Sequence, residues 1–406
     1  MGLAIRIIVI VSLLVGLTGP ASADVISDWN EKAIAVGFTA RQLPPAHTRN
    51  VAIVHVAMFD ALNSIEPRYT PYRVQLPAAP GASRDAAGAA AAHYLLVRMY
   101  PDQAKELDAA FQASLAAVPE GPPKAQGIQR GEHVAAFISD ERQTDGANAP
   151  NTYRPFTTAG TYVPTVFPAG SIWGAVKPFA LKTGGQFRPA APYALTSAQW
   201  AKDYNEIKRL GAKTGSERSA EQTEIARFWE FTGPGLYNPV ARQLSAAKNL
   251  EVMENARLFA LVSMAGADAL IAVMDAKYAY NFWRPVTAIR NGDLDGNDAT
   301  ERDPVWEPFI ATPMHPEYPC AHCIVQASVA SVLEAFFGDA VPTFTLTSPT
   351  APGVARKFVR LSDYAAEVIE ARIYDGVHYR ISGEVGSAMG RKTGAYAVEN
   401  HLKPVR

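Results

Sequence analysis

Apolar residues along this chain recur mostly three and four positions apart, the spacing of one helix face, and rarely alternate as a half-buried strand requires. The pattern predicts helices over residues 51–65, 85–99, 104–116, 130–139, 198–210, 220–231, 249–273, 324–337, 361–373 and 384–400. Between them lie segments dense in proline and glycine, at 119–123, 146–168, 183–192 and 340–352, which read as loops. The stretch 146–195 adds aromatics to its Pro and Gly, so it is expected as an ordered excursion packed on the surface, with the makings of a lid. Clear strands are nearly absent. The expected fold class is therefore all-α, a helical bundle with long Pro/Gly-rich connecting loops.

The first residues break this pattern. Arg6 precedes an apolar run over 7–17, followed by Gly19-Pro20 and the small residues Ala21-Ser22-Ala23. This three-part order predicts a secretory leader over 1–23, cleaved after Ala23, and hence an exported protein, periplasmic or secreted. This run of 11 residues falls short of the roughly 20 that cross a bilayer. No later window reads as transmembrane, so residues 24–406 are expected to form one helical domain without stable membrane insertion. With 406 residues and 48% hydrophobic content the chain can bury a large core. Its net charge of −1, with lysines and arginines scattered among acids, leaves no basic stripe for nucleic acid.

Three stretches in the last third carry the candidate chemistry: Lys277 to Arg284-Pro285, Pro319-Cys320-Ala321-His322, and Arg372 to Gly376 and His378. One lysine, two arginines and two histidines suit a tetrahedral oxyanion, phosphate or vanadate, with one imidazole bonded to its central atom. Lys277 and Arg284 are seven apart, so they share one face if their helix runs to Pro285. Like charges there repel unless an anion lies between them. A solvated basic face explains the pair equally well, although Tyr280, Phe282 and Trp283 argue for burial. His322 falls near the start of an apolar helix, where free amides and the helix dipole favour anions. Arginine at 372 offers a planar fork for an oxyanion. A neutral imidazole at 378 can ligate vanadium or attack phosphorus once its other nitrogen is held, by a partner the sequence does not reveal. The acidic run 292–298 resembles a calcium loop only superficially, because its glycine comes too early and no closing glutamate follows.

The chain has two cysteines, Cys320 and Cys323, on either side of His322. They allow one local bridge, and the C-x-x-C spacing at a helix start suits a redox disulfide in an oxidising compartment. Zinc would have to draw on His315 with His322. Haem attachment needs histidine directly after the second cysteine, where Ile324 stands.

The order K-x6-R-P, P-x-x-H, R-x5-H over 277–379 resembles the superfamily that unites vanadium-dependent haloperoxidases with bacterial acid phosphatases and type 2 phosphatidate phosphatases. The resemblance implies that fold, and a vanadate cofactor with hydrogen peroxide and halide as partners. It implies that Lys277, Arg284 and Arg372 hold the equatorial oxygens, together with positions 320 and 321. His378 would be the axial vanadium ligand or the phosphohistidine nucleophile, and His322 the acid–base group. His315, seven before His322, resembles the halide-tuning position of algal bromoperoxidases, so bromide or iodide is favoured; hydrogen-bonding its own loop is the other reading. Three departures stand out: Cys320 and Ala321 replace the family's Ser-Gly, Ala371 replaces a serine, and Ser382 replaces the aspartate that orients the final histidine. Trp29-Asn30, Arg49, His55 and Phe59-Asp60-Ala61 resemble stretches of secreted bacterial haloperoxidase-like proteins, with His55 and Asp60 read as internal hydrogen bonders. The expected activity is vanadate-dependent halide oxidation. The alternatives are a phosphatase that takes a phosphomonoester and needs no cofactor, and an exported oxyanion binder without turnover.

Overall fold

The computed structural model describes residues 24–164 and 166–405; the leader expected at 1–23 lies outside the described residues. The helices are α1 (Val25–Thr39), α2 (Pro44–Ile65), α3 (Arg84–Met99), α4 (Ala104–Ala116), α5 (Pro122–Gln143), α6 (Ala198–Leu210), α7 (Ala220–Trp229) and α8 (Pro234–Lys248). They continue as α9 (Val252–Tyr280), α10 (Pro285–Arg290), α11 (Ala321–Phe337), α12 (Leu361–Tyr374) and α13 (Arg380–Asn400). The all-α expectation holds with one exception. Residues 340–352, read as a loop, belong to an antiparallel hairpin of β1 (Ala340–Ser348) and β2 (Ala351–Arg360). Phe344, Leu346 and Ser348 alternate inward there, a pattern hidden in the sequence by Pro342, Pro349 and Pro352.

Helix starts follow local chemistry. Asp24 caps α1, Ser83 caps α3 and Ser197 caps α6, while Ser219 and Gln222 form a reciprocal capping box on α7. Proline opens α2, α5, α8 and α10, where its missing N–H costs nothing. For that reason α2 and α5 begin earlier than apolar spacing predicts, and α8, with Pro239 inside it, escapes that reading altogether.

The organising element is α9, which is apolar on every side, as a helix sunk in a core must be. Its 29 residues are long and apolar enough to cross a membrane, contrary to the sequence expectation, yet 94% of its most apolar window is buried inside the protein. It packs on α2, α11 and α13. One buried carboxylate on it, Asp268, accepts the backbone N–H groups of Phe179, Ala180 and Leu181 at 2.6–2.7 Å and so pins the 146–195 excursion to the core. On α2, Asp60 performs the same service for Tyr72, Arg73 and Val74, as an internal hydrogen bonder.

The other determinant of the site is the pair α11 and α13, which run parallel and in close contact. A Cβ added at Gly390 would lie 2.3 Å from the Ile324 carbonyl, and one at Gly386 would lie 2.7 Å from that of Cys320. Only glycine permits this approach. It brings the starts of both helices, and with them His322 and His378, to one end of the bundle.

Candidate oxyanion site

Lys277 does not share a continuous helix with Arg284. Asn281 adopts the left-handed conformation (φ 48°) and ends α9, so Lys277 sits in its last turn while Arg284 is the N-cap residue of α10. The two cations meet through the loop 313–319 instead. Lys277 Nζ donates to the Pro316 and Glu317 carbonyls at 2.9 and 2.7 Å. Arg284 Nε donates to the His315 carbonyl at 2.8 Å, Nη1 to the Val377 carbonyl at 2.8 Å, and Nη2 to His315 Nδ1 at 2.9 Å. The same Nδ1 lies 3.1 Å from the Pro316 carbonyl, so it faces a donor-only guanidinium and an acceptor-only oxygen at once. His315 therefore does bond within its own loop region, and through Arg284 it reaches the site.

His378 follows α12 through a turn at Gly376, whose φ of +78° favours glycine. Its Nε2 lies 3.3 Å from Arg284 Nη1, and its Nδ1 lies 2.9 Å from Glu317 Oε1. Glu317 is the residue that sequence reasoning missed. Arg372 Nη1 donates to the Trp229 carbonyl at 3.1 Å and to Asp375 Oδ2 at 2.7 Å, while its Nε is buried and has no partner among the described residues. Asp375 was likewise missed. His322, 8% exposed and in the first turn of α11, places Nε2 3.3 Å from the Glu230 carbonyl. The first amides of α11, those of Ala321 and His322, are left over by the helix itself.

Cys320 and Cys323 form a disulfide. A bonded sulfur carries no S–H, so Cys320 offers an oxyanion no donor in this state, and its Sγ instead accepts the Cys323 amide at 3.1 Å. Both sulfurs are thereby withdrawn from zinc as well.

Aromatic packing fixes the frame. Trp283, Tyr318 and Tyr379 are chain neighbours or near neighbours of Arg284, Glu317 and His378, and all three belong to a buried cluster with Trp200, Phe282 and Trp306. Trp200 lies 4.9 Å from the Tyr379 ring and 6.0 Å from that of Trp283. The excursion closes the side: Tyr162 N–H donates to the Asn281 carbonyl at 2.8 Å, Trp283 N–H to Gly160 at 3.0 Å, and Ala169 N–H to Met314 at 2.6 Å. It forms a hydrogen-bonded wall beside the site.

Electrostatically, three cations are buried with two carboxylates. Burial, then the charge of Arg284, holds the Lys277 ammonium well below its usual range, and burial brings Arg284 down to about 10. Burial, then neighbouring cations, depresses His315, His322 and His378 well below the usual imidazole value, so all three are neutral at neutral pH. Burial pushes Glu317 up to about 7 against the pull of Lys277, and Asp375 up to about 7 against that of Arg372. A dianion set among these cations would relieve their mutual repulsion. The arrangement has the charge and the donors that suit an anion, with His378 Nε2 among them beside Arg284.

Residues 257–406 match the family model described as the VCPO second helical-bundle domain. A curated relative, vanadium chloroperoxidase of Curvularia inaequalis, is 26% identical over 212 residues, covering 42% of this chain and 34% of the relative. The match thus spans about a third of that relative's length. Among solved structures, a bacterial vanadium-dependent iodoperoxidase is similar with a TM-score of 0.81 and 25% identity, over 94% of this chain and 97% of that one. The apo form of a bacterial vanadium-dependent chloroperoxidase shares the fold, with a TM-score of 0.70 and 18% identity over 88% and 92% of the two chains. Residues 257–406 thus match that family's second helical-bundle domain, and the chain as a whole shares the helical fold of the bacterial vanadium-dependent haloperoxidases.

Proposed function

We propose that this protein is a vanadate-dependent haloperoxidase that oxidises iodide or bromide with hydrogen peroxide. The observation that carries the reading is the convergence of Lys277, Arg284 and Arg372, all buried, on the neutral ring of His378. The donor set fits vanadate. Lys277 spends two of its three N–H groups on loop carbonyls, Arg372 keeps Nε unpaired, and the α11 amides are unspent. Lys277, Arg284, Arg372 and the Ala321 amide would hold the oxygens of the oxyanion, and His378 Nε2 would anchor it. Bound vanadate would supply Lewis acidity that polarises peroxide without redox change at the metal. His322, neutral and nearest to solvent of the two catalytic candidates, would accept and return the proton on its Nδ1 while Nε2 faces the Glu230 carbonyl. His315 would bias halide preference through its grip on Arg284. The likeness to a bacterial vanadium-dependent iodoperoxidase supports iodide.

The test pairs two assays on the purified protein. Halide oxidation should appear on vanadate loading, in the order iodide, bromide, chloride, and inorganic phosphate should inhibit it. Hydrolysis of p-nitrophenyl phosphate without vanadate, and no halide oxidation, would replace this reading with the phosphatase. Silence in both assays with tight vanadate binding would replace it with an oxyanion binder.

The disulfide makes a second expectation. Replacing both Cys320 and Cys323 with serine restores a hydroxyl at position 320, and one hydrogen bond to a charged group contributes about 1.5–3 kcal/mol. Vanadate affinity should therefore rise on the order of tenfold or more. Reduction with a thiol should move it the same way more weakly, because S–H is a poorer donor. Equal affinity in all three forms would exclude the sulfur from the site and dispose of a redox switch.

A further inference from the structure

Position 382, four after His378, carries serine where the resemblance leads one to expect an aspartate. Histidine ligands almost always give their second ring nitrogen to a carboxylate, a carbonyl or water, which fixes the tautomer and strengthens the ligating nitrogen. In this chain a carboxylate reaches the ring from another segment. Glu317 Oε1 accepts from His378 Nδ1 at 2.9 Å and from the Tyr379 amide at 3.0 Å, while Oε2 accepts from Ser382 Oγ at 2.6 Å. Glu317 and Ser382 are both fully buried, at 0% exposure. The backbone of Glu317 is held at both ends, its N–H by the Phe282 carbonyl at 2.9 Å and its carbonyl by Lys277 Nζ at 2.7 Å. Arg284 Nη1, a donor only, faces Nε2 at 3.3 Å, a long contact that is made only while Nε2 keeps its lone pair, and the 2.9 Å bond to Glu317 is what keeps the proton on Nδ1.

We propose that Glu317, clasped by Ser382, is the positioning residue for His378: it supplies from the loop before α11 the carboxylate that position 382 lacks. Ser382 is the complement of that arrangement, since its hydroxyl holds the second carboxylate oxygen at 2.6 Å. Lys277 acquires a second task, as the cation that anchors the segment carrying Glu317. The proposal deepens the haloperoxidase reading and rests on His378 as the oxyanion's anchor.

The experiment has two readouts. In the vanadium-free protein, nitrogen-15 NMR of labelled histidine should show His378 locked with its proton on Nδ1, and Glu317→Gln should release it to a mixture or to the other tautomer. Orthovanadate binding, followed by vanadium-51 NMR titration, should weaken by roughly 10–100-fold in Glu317→Gln. Adding Ser382→Asp to that variant returns a carboxylate to α13 and should recover the tautomer and most of the affinity. An unchanged tautomer in Glu317→Gln overturns the proposal. So does a loss of affinity that Ser382→Asp leaves untouched, since that marks Glu317 as structural only. Failure of the wild-type protein to bind vanadate would sink the functional reading, while the tautomer measurement would still decide the role of Glu317.

Discussion

His378→Ala should leave a folded protein that no longer retains vanadate through dialysis and whose halide oxidation falls by more than about 10³-fold, the range seen when a residue bonded to the reacting centre is removed. The substitution deletes the imidazole that this reading assigns to the central atom, the one whose Nε2 faces Arg284. Lys277, Arg284 and Arg372 remain, and each charge-assisted contact contributes about 1.5–3 kcal/mol, so the oxyanion should still associate weakly and reversibly. Folding should survive because the partners of His378 retain others: Glu317 keeps Ser382 and the Tyr379 amide, and Arg284 keeps the Val377 and His315 carbonyls. Thermal denaturation measured beside vanadium content separates the two effects. Vanadate retained at wild-type level in His378→Ala would remove the anchor assignment, and with it the basis for the present reading of the site.

The three motifs were legible because each is local. Gly376 between Arg372 and His378 marks a turn, and an apolar run after His322 marks a helix start, so these residues could be placed at helix ends without knowing the fold. The pairing of Lys277 with Arg284 was misread in its geometry. Nothing in the sequence distinguishes a helix that runs to Pro285 from one that Asn281 stops four residues earlier, since both put the cations near one another. Glu317 was illegible for a different reason. It lies 61 positions from His378, and that contact exists only because α9, α11 and α13 pack as they do. Asp375 hid inside a recognised motif. Its carboxylate pairs with Arg372, so the site is less cationic than the count of lysine and arginine suggests, and an arriving oxyanion must share that guanidinium with it. The hairpin 340–360 was hidden by its prolines, whereas the core helix was read over 249–273 and only its extension to Tyr280 was missed, because a helix without a polar face gives no pattern from which to read its limits.

His322→Ala should show the opposite signature to the loss of His378: vanadate affinity within a few-fold of wild type, with turnover reduced by roughly 10²–10⁴, the contribution typical of a general acid–base group. The geometry separates the roles. His322 stands at the start of α11 while His378 precedes α13, and the close parallel packing of those helices holds the two rings at one end of the bundle without making either a support for the other. Burial, then the charge of Arg372, keeps the His322 imidazole well below its usual value, so the ring is unprotonated at neutral pH and free to take a proton. The only hydrogen bond that it makes among the described residues is the 3.3 Å contact with the Glu230 carbonyl, too long to contribute much to stability. Added imidazole should restore part of the lost rate in the alanine variant, because the vacated space is at the more exposed edge of the site. Rescue with unchanged vanadate affinity would identify a proton-transfer role. Loss of vanadate binding together with activity would instead make His322 part of the grip on the oxyanion and remove its assignment as the proton-transfer group.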